Sequence, residues 1–168
     1  AGFLLNNEMD DFSSKPGTAN AFGLVGYKAN AIQPFKRPLS SMSPTLVIDT
    51  NGTPIVTIGA AGGSRIITAV LQNIISIIDH GLNIQEAIDF PRTHSQWLPD
   101  NLRYEKGALT QQTINELEEL NHLFEHDGVT ENGLYSIAQT HGVHFKNKQF
   151  ITGFDKRGSY DENEGITY

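Results

Sequence analysis

Residues 45–78 read TLVIDTNGTPIVTIGAAGGSRIITAVLQNIISII, and this stretch decides the fold class. Two β-branched runs, residues 45–49 and 55–59, flank Asn51-Gly52, the pair that a type I′ turn prefers, which predicts a hairpin. The second run passes straight into Ala60-Ala61-Gly62-Gly63-Ser64. After it Ile66, Ile67, Val70, Leu71, Ile74, Ile75 and Ile78 recur at helical spacing as far as His80-Gly81, which predicts a buried helix closed by a glycine cap.

Outward from this unit the signals are shorter. Asn83-Ile84-Gln85-Glu86 has the spacing of a capping box and opens a brief helix that Pro91 stops. Thr110 begins an amphipathic helix reaching about Asn121, with Leu117 and Leu120 on its inner face. From Leu123 onward strands return, at residues 135–139, 143–145 and 150–152, with a turn at Gly142 and a hairpin joint at Asn147-Lys148. Upstream, Pro, Gly, Ser and Asn cluster over residues 13–43, a long irregular segment of the kind that carries function. Strands, then helices, then strands give an α+β class with helices layered on a mostly antiparallel sheet. The 168 residues amount to one domain, and residues 155–168 read as a polar surface tail.

Composition removes several classes of function. Twelve basic residues stand against nineteen acidic ones, for a net charge of −7 with no Lys/Arg run, so nucleic acid is not an expected partner. Without cysteine there is no disulfide framework, thiolate metal site or thiol nucleophile. The most apolar stretch, residues 66–78, is interrupted by Thr68, Gln72, Asn73 and Ser76, so a membrane is not expected either. Ala1-Gly2-Phe3-Leu4-Leu5 carries no basic leader and reads like the middle of a protein.

Three segments could carry chemistry. At residues 59–64 consecutive glycines before a helix can turn backbone N–H groups toward an oxyanion or phosphate, although a tight, closely packed strand-to-helix turn would use the same residues. The loop matches neither a Walker A motif nor Gly-x-Gly-x-x-Gly. Asn6-Asn7-Glu8-Met9-Asp10-Asp11-Phe12 could hold an ammonium group or a metal ion, or form a solvated turn. Ser40 and Ser41, within residues 36–45, could donate to a carboxylate or serve an ordinary turn. His122/His126 and His141/His144 have pairwise spacings that suit a metal, but no third ligand has motif spacing to either pair, so they read as surface histidines. Trp97 reads as a packing anchor.

In this order, Leu4-Leu-Asn-Asn-Glu-Met-Asp-Asp-Phe12, Lys36-Arg-Pro-Leu-Ser-Ser-Met-Ser-Pro-Thr45, Gly62-Gly-Ser-Arg-Ile-Ile-Thr68 and Pro91-Arg-Thr-His-Ser-Gln-Trp-Leu-Pro99 resemble the signature blocks of the gamma-glutamyltransferase (gamma-glutamyltranspeptidase) small subunit. The resemblance covers nearly the whole chain and weakens after about Leu109. It implies part of an αββα N-terminal-nucleophile hydrolase: a self-cleaving precursor whose new N-terminal threonine attacks the gamma-glutamyl amide of glutathione. The acyl group then passes to water or to an amino acid or peptide. Gly62 and Gly63 would supply the oxyanion hole, Glu8 and Asp11 would hold the substrate ammonium, and Ser40 and Ser41 its carboxylate. Residues 16–27 resemble the lid loop of bacterial members, with Phe22 where several carry tyrosine, and Ala60-Ala61 stands where the family usually has Ser-Pro.

The resemblance implies no cofactor and no metal. It implies a large subunit from the same precursor as partner, and a periplasmic or secreted location. No threonine here matches the family's Thr-Thr-His-x-Ser start, so the chain is expected to be a single partial domain, inert alone and exposing surface that the remainder covers. A non-catalytic gamma-glutamyl-binding module, a related acylase and, more weakly, a phosphate-binding protein using residues 59–64 are the alternatives.

Overall fold

The computed structural model describes residues 2–3, 5–126 and 137–157. The hairpin forms as expected, with β1 (Thr45–Ile48) antiparallel to β2 (Pro54–Ala61). Its turn differs from the type I′ expectation. Gly52 has φ +83° while Asn51 is not in the left-handed region, and the loop is organised by Asp49, whose Oδ1 accepts from the N–H groups of Asn51 and Thr53 at 2.8 Å each. These bonds, the one from Thr53 foremost, hold the Asp49 carboxyl below its ordinary value.

Helix α1 (Ile66–Ile78) follows the glycine turn and ends at Gly81, φ +70°. Asn83 and Glu86 make the capping box of α2 (Ile84–Asp89) in full. Both helices lie on one face of a four-stranded antiparallel sheet of order β1-β2-β6-β7, where β6 is Gln139–Lys146 and β7 is Gln149–Phe154. Between them sits the core of Val56, Ile58, Ile66, Val70, Ile77, Ile84, Ala87 and Ile88. A second, three-stranded sheet orders β3 (Thr93–Gln96), β4 (Asn101–Tyr104) and β5 (Phe124–His126), with α3 (Gln111–Glu119) crossing between the parallel pair β4 and β5.

Several expectations are corrected. Gly142 is not a turn: β6 runs straight through it. A Cβ on Gly142 would sit 2.8 Å from the Thr57 carbonyl and 2.9 Å from Ile84 Cδ1, and one on its partner Gly153 would sit 2.6 Å from Ile88 Cδ1. The two facing glycines therefore exist to let α2 approach the sheet. The type I′ geometry appears instead at Asn147 (φ +53°) and Lys148 (φ +64°), joining β6 to β7. Leu120 is 70% exposed rather than inward, and Trp97 is 86% exposed rather than a packing anchor. His141 and His144, three apart on one strand, fall on opposite faces of the sheet. Tyr135 and Ser136 of the strand expected at 135–139 lie outside the described residues, as do residues 158–168 of the expected tail.

One edge of each sheet is clasped by a glutamine from a helix. Gln72 on α1 donates to the Thr93 carbonyl at 2.8 Å and accepts from the Thr93 N–H at 3.0 Å. Gln85 on α2 treats Phe154 of β7 in the same way, at 2.9 Å for both bonds.

The start of the expected surface tail is in fact the most enclosed ionic site. Asp155 is 0% exposed and Arg92 1%, and they pair at 2.8 Å. Arg92 also donates to the carbonyls of Ile88 (2.8 Å), Ile137 (3.0 Å) and Ala138 (3.1 Å) and to Thr140 Oγ1 (2.7 Å). Arg157 donates to Asp155 at 3.2 Å and Glu105 at 2.8 Å, and caps the Phe90 carbonyl after α2. Glu105 in turn accepts from the backbone N–H groups of Arg92 and Ile137. Burial by itself would raise the Asp155 carboxyl, but Arg92, the N–H groups of Thr140 and Arg157, and the Arg157 charge outweigh it and hold it below the ordinary aspartate value.

A carboxyl lowered in the folded state adds stability above the unfolded aspartate value, about 3.9, which is lost as pH falls through the folded value. Thermal midpoints should therefore drop as pH falls below about 4, and Asp155→Asn should flatten that acid limb while lowering stability near neutrality. Arg92→Met, which leaves the carboxylate enclosed, should cost about 3–5 kcal/mol in denaturant unfolding. Gly153→Ala should cost about 1–3 kcal/mol by pushing Ile84 and Ile88 off the sheet, measured in the same assay.

Candidate active site

The strand-to-helix junction is built on two glycines that no other residue could replace without displacement. Gly62 has φ +143° and Gly63 φ +58°. A Cβ on Gly62 would lie 2.7 Å from Ala138 Cα, and one on Gly63 would overlap the ring of Phe22. The segment is a tightly packed strand-to-helix turn. Among the described residues, neither the Gly62 nor the Gly63 amide donates to a turn, loop or cap carbonyl. Residues Gly63–Arg65 make one 3-10 turn that leads these amides into α1, whose N-terminal end adds positive potential for an anion.

The floor of this turn is set by the central ionic site. Ala138, itself at φ +58°, is held by the bond from Arg92 to its carbonyl, and it is Ala138 that Gly62 packs against. The position of the amides thus traces back to a buried guanidinium.

The acidic turn and the serine pair, 29 positions apart at Asp11 and Ser40, are tied together through one side chain. Glu8–Asp11 forms a 3-10 turn with Glu8 and Asp11 half-buried. Asn30 donates to the Asp11 carbonyl at 2.7 Å and accepts from the Leu39 N–H at 2.9 Å, so Asp11 and the residue before Ser40 share one amide. Ser13 N–H donates to the Asn30 carbonyl at 2.9 Å, fastening the start of the irregular segment to the same point. Ser40 Oγ accepts from the Met42 N–H at 3.1 Å, and Ser43 Oγ donates to the Ser41 carbonyl at 3.2 Å. Sequence reading passed over Asn30, because one asparagine in a loop rich in Asn, Gly and Pro carries no distinguishing pattern.

Residues 16–27 fold over the glycine turn, as the position of Phe22 against Gly63 requires. At the tip, Asn20 Oδ1 accepts from the N–H groups of Phe22 (2.9 Å) and Leu24 (3.0 Å), making a self-contained bend. The arrangement places two glycines at the start of α1 and, elsewhere on the chain, an acidic turn and a serine pair joined through Asn30. Among the described residues no group of three His, Asp or Glu side chains is placed to hold a metal ion.

The family model for gamma-glutamyltranspeptidase matches residues 1–163. A glutathione hydrolase proenzyme of Escherichia coli K12 is 63% identical over 107 residues, covering 64% of this chain and 18% of that protein. One from Pseudomonas aeruginosa is 42% identical over 160 residues, covering 94% of this chain and 28% of that protein. The chain therefore spans well under a third of these curated relatives. Among solved structures, an acivicin-inhibited gamma-glutamyltranspeptidase superposes with a TM-score of 0.80 at 44% identity, covering 95% of this chain and 83% of the other. A T380A mutant of the Helicobacter pylori enzyme gives 0.79 at 45% identity, covering 94% and 82%. The α+β arrangement of antiparallel sheet and packed helices is that of these N-terminal-nucleophile hydrolases. On matches that span almost its whole length, this chain belongs to the gamma-glutamyltranspeptidase family.

Proposed function

We infer that the intact protein cleaves the gamma-glutamyl amide of glutathione or a related compound, passing the gamma-glutamyl group to water or to an amino acid or peptide. The observation that carries this reading is the pair of glycine amides beside α1, together with an acidic turn and a serine pair that share Asn30. A gamma-glutamyl head is zwitterionic at its α-carbon. The carboxylates of Glu8 and Asp11 suit its ammonium, and the hydroxyls of Ser40 and Ser41 suit its carboxylate. The gamma-carbonyl oxygen then lies toward Gly62 and Gly63, where two N–H donors stabilise the charge it acquires on attack.

The attacking group in this family reading is an N-terminal threonine hydroxyl. Its oxygen bonds to the carbonyl carbon of the gamma-glutamyl amide, its proton passes by way of the threonine's own amine to the leaving nitrogen, and the amine product departs as the carbon–nitrogen bond breaks. The resulting ester is opened by water or by an acceptor amine, which regenerates the hydroxyl.

The same reading gives the chain a partner. On the sheet face opposite α1 and α2, Leu46 and Ile48 of β1 and Phe150 of β7 are exposed, and on α1 so are Ile67, Leu71 and Ile78. Apolar surface on the helix-free face of the sheet suits the inner face of an αββα sandwich, with a large subunit from the same precursor covering it and the exposed side of α1. Among the described residues no helix is long and apolar enough to cross a membrane. The periplasmic or secreted placement rests on the family alone.

Full-length protein should release the chromophore from a gamma-glutamyl anilide. Asp11→Asn should lower kcat/KM on the order of 100-fold through the lost charged contact, with a smaller loss for Ser40→Ala. A folded full-length protein that binds the anilide without releasing the chromophore would overturn the enzymatic reading in favour of a binding module.

A further inference from the structure

Gln96, at the end of β3, places one amide among three separate parts of the chain. Its Nε2 donates to the Phe22 carbonyl at 2.8 Å and to the Leu98 carbonyl at 3.0 Å. Its Oε1 accepts from Ser64 Oγ at 2.7 Å and lies 2.9 Å from His94 Nε2. Two carbonyls, which only accept, fix which end of the amide is which, so all four hydrogen-bonding positions of the side chain are used. Because Oε1 also only accepts, His94 presents a protonated Nε2 to it. In the neutral ring Nδ1 then accepts from Thr68 Oγ1, 2.8 Å away on the first turn of α1.

The contact with Phe22 matters because of what the tip of residues 16–27 otherwise lacks. Residues 18–25 bond among themselves and to the base of their own loop: Asn20 with Phe22, Gly23 and Leu24, and Thr18 with Lys15. Among the described residues, the bond from Gln96 is the hydrogen bond that joins this tip to the body of the protein. Beside it Gly23, φ +77°, rests on Pro99, where a Cβ would come within 2.7 Å of the proline Cδ. The same amide that holds the tip also holds Ser64, the neighbour of Gly63, whose face Phe22 covers.

We propose that Gln96 is a positioning residue that latches residues 16–27 over the glycine turn, through the one amide that also holds Ser64 beside Gly63. The proposal rests on reading that turn as the site where the substrate carbonyl lies. Gln96 touches no reacting atom in this account. It acts by keeping Phe22 on Gly63 and Ser64 in place, which shapes the enclosure that a gamma-glutamyl donor enters.

Gln96→Glu is the discriminating variant. It keeps the shape of the side chain and its acceptors for Ser64 and His94, while turning a negative oxygen against the carbonyls of Phe22 and Leu98. In the full-length protein, chymotryptic cleavage after Phe22 should rise by about tenfold or more. The donor KM should rise about tenfold while kcat stays within about threefold, for the loss of two donors at a latch. Gly23→Ala, made from the lid side and away from the core, should give the same pair of changes by forcing the tip off Pro99. A folded Gln96→Glu or Gly23→Ala protein with unchanged cleavage at Phe22 and unchanged KM would overturn the proposal. A fall in kcat with KM constant would also overturn it, since that belongs to a residue acting on the transition state. The proteolysis arm needs no turnover, so a wild-type protein that releases no chromophore would defeat the proposed activity while the latch is still tested.

Discussion

A single guanidinium, that of Arg92, is the constraint on which the rest of the structure depends. Its ion pair with Asp155 is shut away from water, and such a pair gives little net stability compared with apolar packing of the same volume. Its value lies in what it forbids. Five acceptors from four regions, namely α2, residues 137–138, β6 and the residue after β7, converge on it, and each loses a charged donor if any region shifts. Arg157 and Glu105 extend the same network to the carbonyls after α2 and to the backbone of Arg92 itself. A geometry-demanding network of this kind specifies one arrangement of the two sheets rather than a family of them.

The catalytic reading inherits that arrangement through backbone alone. Ala138, seated by Arg92, is the surface on which Gly62 rests, and Gly62 and Gly63 turn the chain from β2 into α1. Phe22 and Gln96 approach the same turn from the other side. The Gly62 and Gly63 amides, the oxyanion donors of the proposed reaction, are thus held between a buried charged network below and a loop above. Preorganisation of this sort is what electrostatic stabilisation of a developing charge requires.

What the sequence disclosed, and what it hid, follows from the range of each interaction. The hairpin, α1 and the Asn83–Glu86 capping box were legible because their signals are periodicities and caps within a few residues. The family, too, was legible, in short motifs at the glycine turn and the serine and acid clusters. β3 and β4 were not: Thr-His-Ser-Gln and Asn-Leu-Arg-Tyr lack apolar alternation, and they are strands because each other's backbone and Gln72 pair with them. Gly142 looked like a turn because the reason for it, the approach of Ile84, comes from a helix 58 positions earlier. Asp155 and Arg157 read as the start of a solvated tail, since nothing local marks an aspartate whose partner is 63 positions away. Trp97 erred in the opposite sense, its size suggesting a core that the turn before Pro99 keeps it out of.

The two glutamine clasps have a consequence for how this layer keeps to itself. Thr93 and Phe154 sit on edge strands, β3 and β7, and the amide and carbonyl that each turns outward are those an incoming strand would seek. A primary amide offers the same donor and acceptor as a neighbouring peptide unit. Gln72 and Gln85 therefore end each ladder with a one-residue counterfeit of a further strand. At those two points a second chain would have to displace an intramolecular pair before it could extend the sheet. The helices that bury the core thereby also guard one border of each sheet against chain-to-chain polymerisation.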